Sequence, residues 1–174
     1  YVLDDGWFRG RRDATAGLGD WTADPDVWPQ GLNPLADRVR ELGMEFGLWV
    51  EPEMVNPDSD LLRAHPDWLL AAPDRTPLPR RHQHVLDVAD PAVAEYLMEH
   101  LTALVEQYGV PPVKWDHNRD LLEAVHGRPA RVPAPTRGAY RMADPPRGRV
   151  PGPGDGACAS GRGQQLMPWP NRIR

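Results

Sequence analysis

The stretch Val113-Lys114-Trp115-Asp116-His117-Asn118-Arg119 decides how the chain is read. It has the form of a short β-strand that ends on a carboxylate. Side chains alternate faces along a strand, so Val113 and Trp115 point one way and Lys114 and Asp116 the other. A cation and an anion therefore converge on one side, at the strand's C-terminal end. In a parallel-stranded barrel that end carries the catalytic groups.

Upstream, the same logic recurs twice. Tyr1-Val2-Leu3 is an apolar run closed by Asp4-Asp5-Gly6-Trp7, a strand ending in two carboxylates and a turn glycine. A polar loop from Arg9 to Pro29 follows. Asn33-Pro34 is expected to start a helix, with Asn33 as cap and Pro34 at the first helical position. Leu35, Val39 and Leu42 form its apolar stripe and Gly43 its stop. The strand Phe46–Val50 then ends in Glu51-Pro52-Glu53. An excursion from Asn56 to Val88 holds a short helical candidate, Ser59 to Ala64, capped by Asp58, and a basic segment, Arg80-Arg81-His82-Gln83. A second helix is capped by Asp90, opens on Pro91, buries Val93, Leu97, Leu101, Leu104 and Tyr108, and stops at Gly109. The order is β-α-β-α-β, the pattern of a parallel sheet, with polar residues at all three strand ends.

Beyond Gly127 the character changes. Proline crowds in, arginine replaces lysine and acidic residues nearly vanish. A disordered Pro/Gly/Arg-rich region is expected there, with at most one or two helical turns over Thr136–Ala143. Cys158-Ala159-Ser160-Gly161 has the look of another strand end, and residues 164–174 carry no usable pattern. The organisation expected is 1–127 for the patterned part, 128–163 for a degenerate continuation and 164–174 for an unmatched tail.

Composition excludes several classes. A net charge of −5 over 174 residues argues against a protein that binds nucleic acid by neutralising phosphates. No run approaches the ~18 apolar residues of a membrane span, and no signal peptide is visible. The single cysteine rules out an internal disulfide framework and fits a reducing compartment, so a cytoplasmic location is expected. The chain opens mid-strand without an initiating Met, and its true start is expected upstream. Its length is short for an eight-fold α/β barrel, typically about 250 residues.

Asp116 is the strongest candidate for chemistry, because an ionised carboxylate at a strand end can attack an anomeric carbon. Lys114, on the same face, would favour the charged form; an ordinary Lys114–Asp116 ion pair is the alternative. Asp4 and Asp5 could accept bonds from two vicinal sugar hydroxyls, or serve in capping, a turn or a metal site with Glu51 and Glu53. No zinc-type spacing is present and no cofactor is expected. Trp49 could wall a pocket against a sugar's apolar face or simply pack. Cys158 has no identifiable base partner as a thiol nucleophile.

Seven strings, taken together, resemble the α-galactosidases of glycoside hydrolase family 36. They are Leu3-Asp4-Asp5-Gly6-Trp7-Phe8, Leu18-Gly19-Asp20-Trp21, Gly47–Val55, Pro57–Leu61, Arg63–Trp68, Val85-Leu86-Asp87 and Val113–Arg119. The resemblance covers residues 1 to about 123 and fades beyond. It implies a partial (β/α)₈ TIM barrel, approximately strands two to five, and a retaining mechanism on terminal α-galactosides such as melibiose and raffinose. By position Asp116 matches the nucleophile that forms a covalent galactosyl intermediate. Asp4 and Asp5 match residues holding the 4- and 6-hydroxyls, and Trp49, Arg81, Lys114 and Asn118 match other sugar contacts. Cys158, Ser160 and Gly161 match the motif ending the next strand. The parent is expected to be a homo-oligomer acting on α-galactoside oligosaccharides, with neither nucleic acid nor membrane as partner.

Departures from the family pattern bear on activity. Arg162 replaces a glycine, prolines at 133, 135, 145 and 146 interrupt an expected helix, and Pro111-Pro112 remove donors at the start of the Asp116 strand, which a central strand tolerates poorly. The family's general acid/base lies on a later strand than this chain is expected to reach, so the chain alone is expected to be inactive and poorly folded. The alternatives are a galactosyltransferase of raffinose-synthase type, a non-catalytic carbohydrate-binding remnant and a gene fragment without function.

Overall fold

The structure is a computed structural model that describes residues 1–71, 75, 77–109, 112–118 and 165–168. Among them the elements run β1 (Val2–Leu3), α1 (Asn33–Glu41), β2 (Gly47–Val50), β3 (Met54–Val55), α2 (Asp60–Ala64), a 3₁₀ turn (Pro66–Trp68), β4 (His84–Val85), α3 (Pro91–Tyr108), β5 (Pro112–Trp115) and β6 (Gln165–Pro168). One sheet has the order β1-β2-β5-β6, and β3 pairs antiparallel with β4. β1, β2 and β5 are parallel neighbours, so the expected β-α-β-α-β alternation is present as a partial α/β fold.

α3 follows its sequence pattern. Asp90 accepts a hydrogen bond from the Ala92 N–H, Pro91 opens the helix, and Val93, Leu97, Leu101, Leu104 and Tyr108 are its buried residues. Gly109 ends it at φ +58°, a left-handed conformation that glycine adopts without penalty. Arg40 of α1 places its guanidinium on the carbonyls of Tyr108 and Gly109, putting a cation at the negative end of α3.

α1 departs from expectation at both ends. Asn33 is its first helical residue, and the cap position is Leu32, which offers no side-chain acceptor. Leu42 is 57% exposed; the buried stripe is Leu32, Ala36 and Val39, one step around the helix. Gly43 does stop the helix. Its N–H reaches the Arg40 carbonyl while that of Met44 reaches Val39, the paired bonds of a Schellman ending. In α2 the cap is Ser59, not Asp58: Ser59 Oγ accepts from the Leu62 N–H, and Asp58 instead pairs with Arg63 at 2.7 Å.

β5 forms from Pro112 onward between β2 and β6. Proline is tolerated as the first residue of a strand, so the expected disruption does not occur there. β6 corrects the reading of residues 164–174 as patternless. Gln165–Pro168 is a strand, and it runs antiparallel to β5, where the next barrel strand would run parallel. The proline-rich region from 119 to 164, including the Thr136–Ala143 turn, Cys158, Ser160, Gly161 and Arg162, lies outside the described residues.

Four aromatic rings fill the core beneath the sheet's C-terminal edge. Phe8 lies 4.8 Å from Trp21 and stacks at 6.3 Å on Trp49, and the Trp7 indole donates to the Trp49 carbonyl at 2.9 Å. For Trp7, Trp21 and Trp49 the bulk of each ring is core.

Candidate active site

Register puts the polar strand ends on one face. Leu3 is level with Leu48, and Trp49 with Lys114. Neighbours in a parallel sheet share a face and alternate residues return to it. Asp4, Trp49, Glu51, Lys114 and Asp116 therefore gather above the C-terminal ends of three adjacent strands.

Asp116 is buried to 7% exposure, and its N–H continues the ladder to the Val50 carbonyl at 2.8 Å. Its Oδ2 accepts from Trp49 Nε1 at 2.9 Å and from Asn118 Nδ2 at 2.6 Å. Its Oδ1 accepts from the His117 N–H at 2.9 Å. A carboxylate oxygen offers two lone pairs. Both are engaged on Oδ2, while among the described residues Oδ1 has one donor. The alternative reading, an ordinary Lys114–Asp116 ion pair, is not what forms: Lys114 Nζ crosses β2 to Asp4 Oδ1 at 2.8 Å.

The adjacent carboxylates part company, as strand alternation requires. Asp4 faces Lys114. Asp5 is held by Arg11, whose Nε and Nη2 reach Oδ1 at 3.0 Å and Oδ2 at 2.9 Å, and by the Gly6 N–H at 2.8 Å. The Arg11 side chain is 5% exposed against 43% for Asp5. A buried guanidinium thus aims a half-exposed carboxylate, the strong bidentate form of such a pair. Arg11 is itself set by Asn56, a fully buried residue that also accepts from the Leu18 N–H and donates to the Ala14 and His82 carbonyls. Sequence reasoning missed both Arg11 and Asn56.

Arg81 and Asn118 meet: Arg81 Nη1 donates to the Asn118 carbonyl at 3.1 Å. Arg81 and His82 are the central residues of a two-residue turn, with φ of +55° and +62°, in which Arg80 and Gln83 exchange backbone hydrogen bonds at 3.1 and 3.0 Å. Positive φ at both central residues is the type I′ arrangement, which favours Asn-Gly. The neighbouring Glu51 carboxylate is buried to 1% exposure. It accepts from the Asn118 N–H at 2.6 Å and from Gln83 Nε2 at 3.2 Å. Burial raises its pKa above the ordinary value and the Asp116 charge adds to the rise, against the opposing pull of the Asn118 N–H, Arg81 and Gln83. Glu53 is spent on Trp115 Nε1 and His117 Nδ1, both at 3.2 Å. Among the described residues no three His, Cys, Asp or Glu side chains are grouped to hold a metal ion, and no helix is long and apolar enough to cross a membrane.

A cavity of about 250 Å³ lies elsewhere, between the polar loop, α2 and α3, with Trp21, Asp60 and Tyr96 in its wall. None of the strand-end carboxylates lines it. It is not the candidate site.

The Melibiase family profile matches residues 1–165. The chain is 46% identical over 164 residues to an α-galactosidase of Escherichia coli, covering 94% of this chain and 23% of that protein. The crystal structure of an α-galactosidase from Lactobacillus brevis superposes with a TM-score of 0.74 at 44% identity, over 82% of this chain and 20% of the other. A variant of the family 36 α-galactosidase AgaA of Geobacillus stearothermophilus, solved in complex with raffinose, superposes with a TM-score of 0.73 at 42% identity, over 82% and 21%. The chain spans about a quarter of the length of the relatives that it matches.

Proposed function

The chain belongs to the Melibiase family, and from that premise we propose that it carries the nucleophile half of a retaining α-galactosidase site of glycoside hydrolase family 36. In this reading the chain is the part of a (β/α)₈ barrel that covers approximately its second to fifth strands, and residues 1–127 are its partial catalytic domain. The observation that carries the proposal is Asp116, at the C-terminal end of a parallel strand: one oxygen is fixed by two donors and, among the described residues, the other accepts from a single N–H. The substrates are terminal α-galactosides of the melibiose and raffinose type, consistent with the relative solved with raffinose.

Oδ1 of Asp116 gives an electron pair to the anomeric carbon as the bond from that carbon to the leaving oxygen breaks. The leaving oxygen takes a proton from an acid that is assigned to no described residue. The product is a galactosyl ester of Asp116, inverted at the anomeric carbon. Water then attacks that carbon as its bond to Asp116 Oδ1 breaks, gives its proton to the group that earlier served as the acid, and inverts the carbon again, so configuration is retained overall. Indole and amide donors on Oδ2 hold the carboxylate aimed before substrate arrives. Asp4, whose Oδ1 is held by Lys114, offers Oδ2 to the sugar. Asp5, whose two oxygens are occupied by Arg11 and the Gly6 N–H, must exchange one of those donors to meet a hydroxyl. In this reading the pair is what tells an axial 4-hydroxyl from an equatorial one. The 174-residue chain by itself is expected to be inactive, and the parent to be a cytoplasmic homo-oligomer.

A chimera in which residues 1–118 replace the matching segment of the E. coli α-galactosidase tests the reading. Hydrolysis of melibiose is expected, with abolition by Asp116→Gly and rescue by azide as β-galactosyl azide. Undiminished turnover in Asp116→Gly removes Asp116 from the mechanism. Transfer to an alcohol in place of hydrolysis indicates the raffinose-synthase type.

A further inference from the structure

Glu51 is a buried carboxylate that the mechanism above does not use. Holding an ionisable group at 1% exposure beside a second carboxylate is unfavourable unless its acceptors are needed. Here both are engaged, and they lead to different segments. Oε2 meets Gln83, which closes the strained Arg81-His82 turn. Oε1 meets the Asn118 N–H. The Asn118 peptide is gripped from the other end by Arg81, on its carbonyl. A residue held at both its N–H and its C=O has little freedom to rotate, and the side chain so fixed is the one that donates to Asp116 Oδ2 at 2.6 Å.

We propose that Glu51 is a positioning residue for Asp116: by fixing Asn118 it keeps Oδ2 occupied and so selects Oδ1 as the reacting oxygen. The end of β2 then controls Asp116 twice, directly through the Trp49 indole and indirectly through Glu51 and Asn118. The role of Glu51 lies in alignment, since it acts through another residue's backbone. The inference rests on the galactosidase reading for the word "reacting", but the hydrogen-bond relay is testable without any sugar.

The charged groups that bear on Glu51 are Asp116, which opposes its ionisation, and Arg81, which favours it. Gain or loss of its proton changes what Oε1 and Oε2 can accept, and the relay must pass that change to Asn118 and on to Asp116.

The test is an NMR pH titration of the full 174-residue chain labelled with ¹⁵N, in conditions where its amide spectrum has the dispersion of a folded protein, following the Trp49 indole N–H and the backbone and side-chain amides of Asn118. The wild-type chain is expected to show a titration step above the ordinary glutamate value in all three signals. Glu51→Gln removes that step from all three, whereas Glu53→Gln, at the other buried carboxylate of the same turn, leaves it in place. Glu51→Asp keeps the charge one methylene short, and is expected to lose the hydrogen-bonded shift of the Asn118 backbone N–H and, with that link gone, the step in Trp49. A wild-type titration without that step in Trp49 and Asn118 overturns the proposal, as does a folded Glu51→Gln or Glu51→Asp with unaltered signals. Because no galactoside is present, failure here leaves the proposed activity untouched. Failure of melibiose hydrolysis in the chimera likewise leaves the relay standing.

Discussion

The Trp49 indole donates to Asp116 across the parallel pair β2–β5, at 2.9 Å from Nε1 to Oδ2. A hydrogen bond to a buried charge contributes about 1.5–3 kcal/mol. Trp49→Phe keeps the ring in its aromatic cluster and removes only the donor. In the chimera we expect kcat/KM for melibiose to fall about 10- to 100-fold, with a small change in Tm. Steady-state kinetics together with thermal unfolding check this.

Arg11 holds Asp5 from a buried position, and its loss leaves Asp5 unaimed and Asn56 short of a donor. Arg11→Met is expected to cost about 3 kcal/mol, the low end for breaking a buried pair because Asp5 is half exposed. Urea unfolding measures the cost. A double-mutant cycle with Asp5→Asn separates the pair from the Asn56 contact.

Lys114 Nζ sits on Asp4 rather than Asp116. Lys114→Gln is therefore expected to act first through galactoside binding, raising KM more than it lowers kcat. A fall in kcat alone, with KM unchanged, places the cation at Asp116 instead.

Two carboxylates set opposite pH trends. Burial tends to raise the pKa of Asp24, but the N–H groups of Asp26 and Gly10 and the Arg12 guanidinium outweigh it and hold the pKa below the ordinary 3.8. That contribution is present above 3.8 and is lost as the pH falls through the folded value. Glu51 is raised, so its contribution is full below the ordinary 4.5 and is lost as the pH climbs through the folded value. In urea titrations across pH, Asp24→Asn is expected to flatten the acid-side loss and Glu51→Gln the loss above 4.5.

The Arg81-His82 turn holds two residues with side chains at positive φ. Such a conformation costs about 1–2 kcal/mol per residue. His82→Gly spares Arg81 and the His82 carbonyl that Asn56 uses. We expect it to stabilise the chain by about 1 kcal/mol, read from the urea midpoint.

Repetitive local patterns carried much of the fold into the sequence. α3 shows its cap, stripe and stop within twenty residues, and the Asp116 strand shows its alternation within four. Leu42 misled because its spacing fits a stripe, yet the Schellman ending turns it outward. Asp58 has a side chain that suits the cap position, but the adjacent Ser59 suits it equally and its Oγ is the one that accepts from the Leu62 N–H. The site was legible as residue types at strand ends, but its connections were not. Arg11 reaches Asn56 over 45 residues and Glu51 reaches Asn118 over 67, with no spacing rule to announce either.

The two bonds that define the mouth, Trp49 to Asp116 and Lys114 to Asp4, close loops of 67 and 110 residues. Loops of that length form late, because chain entropy opposes them until the strands between are paired. A nascent chain that has not yet delivered β5 therefore holds Asp4 and Trp49 at two strand ends without their partners, while Asp5 already has Arg11. The mouth, on this view, is completed in one step as β5 docks.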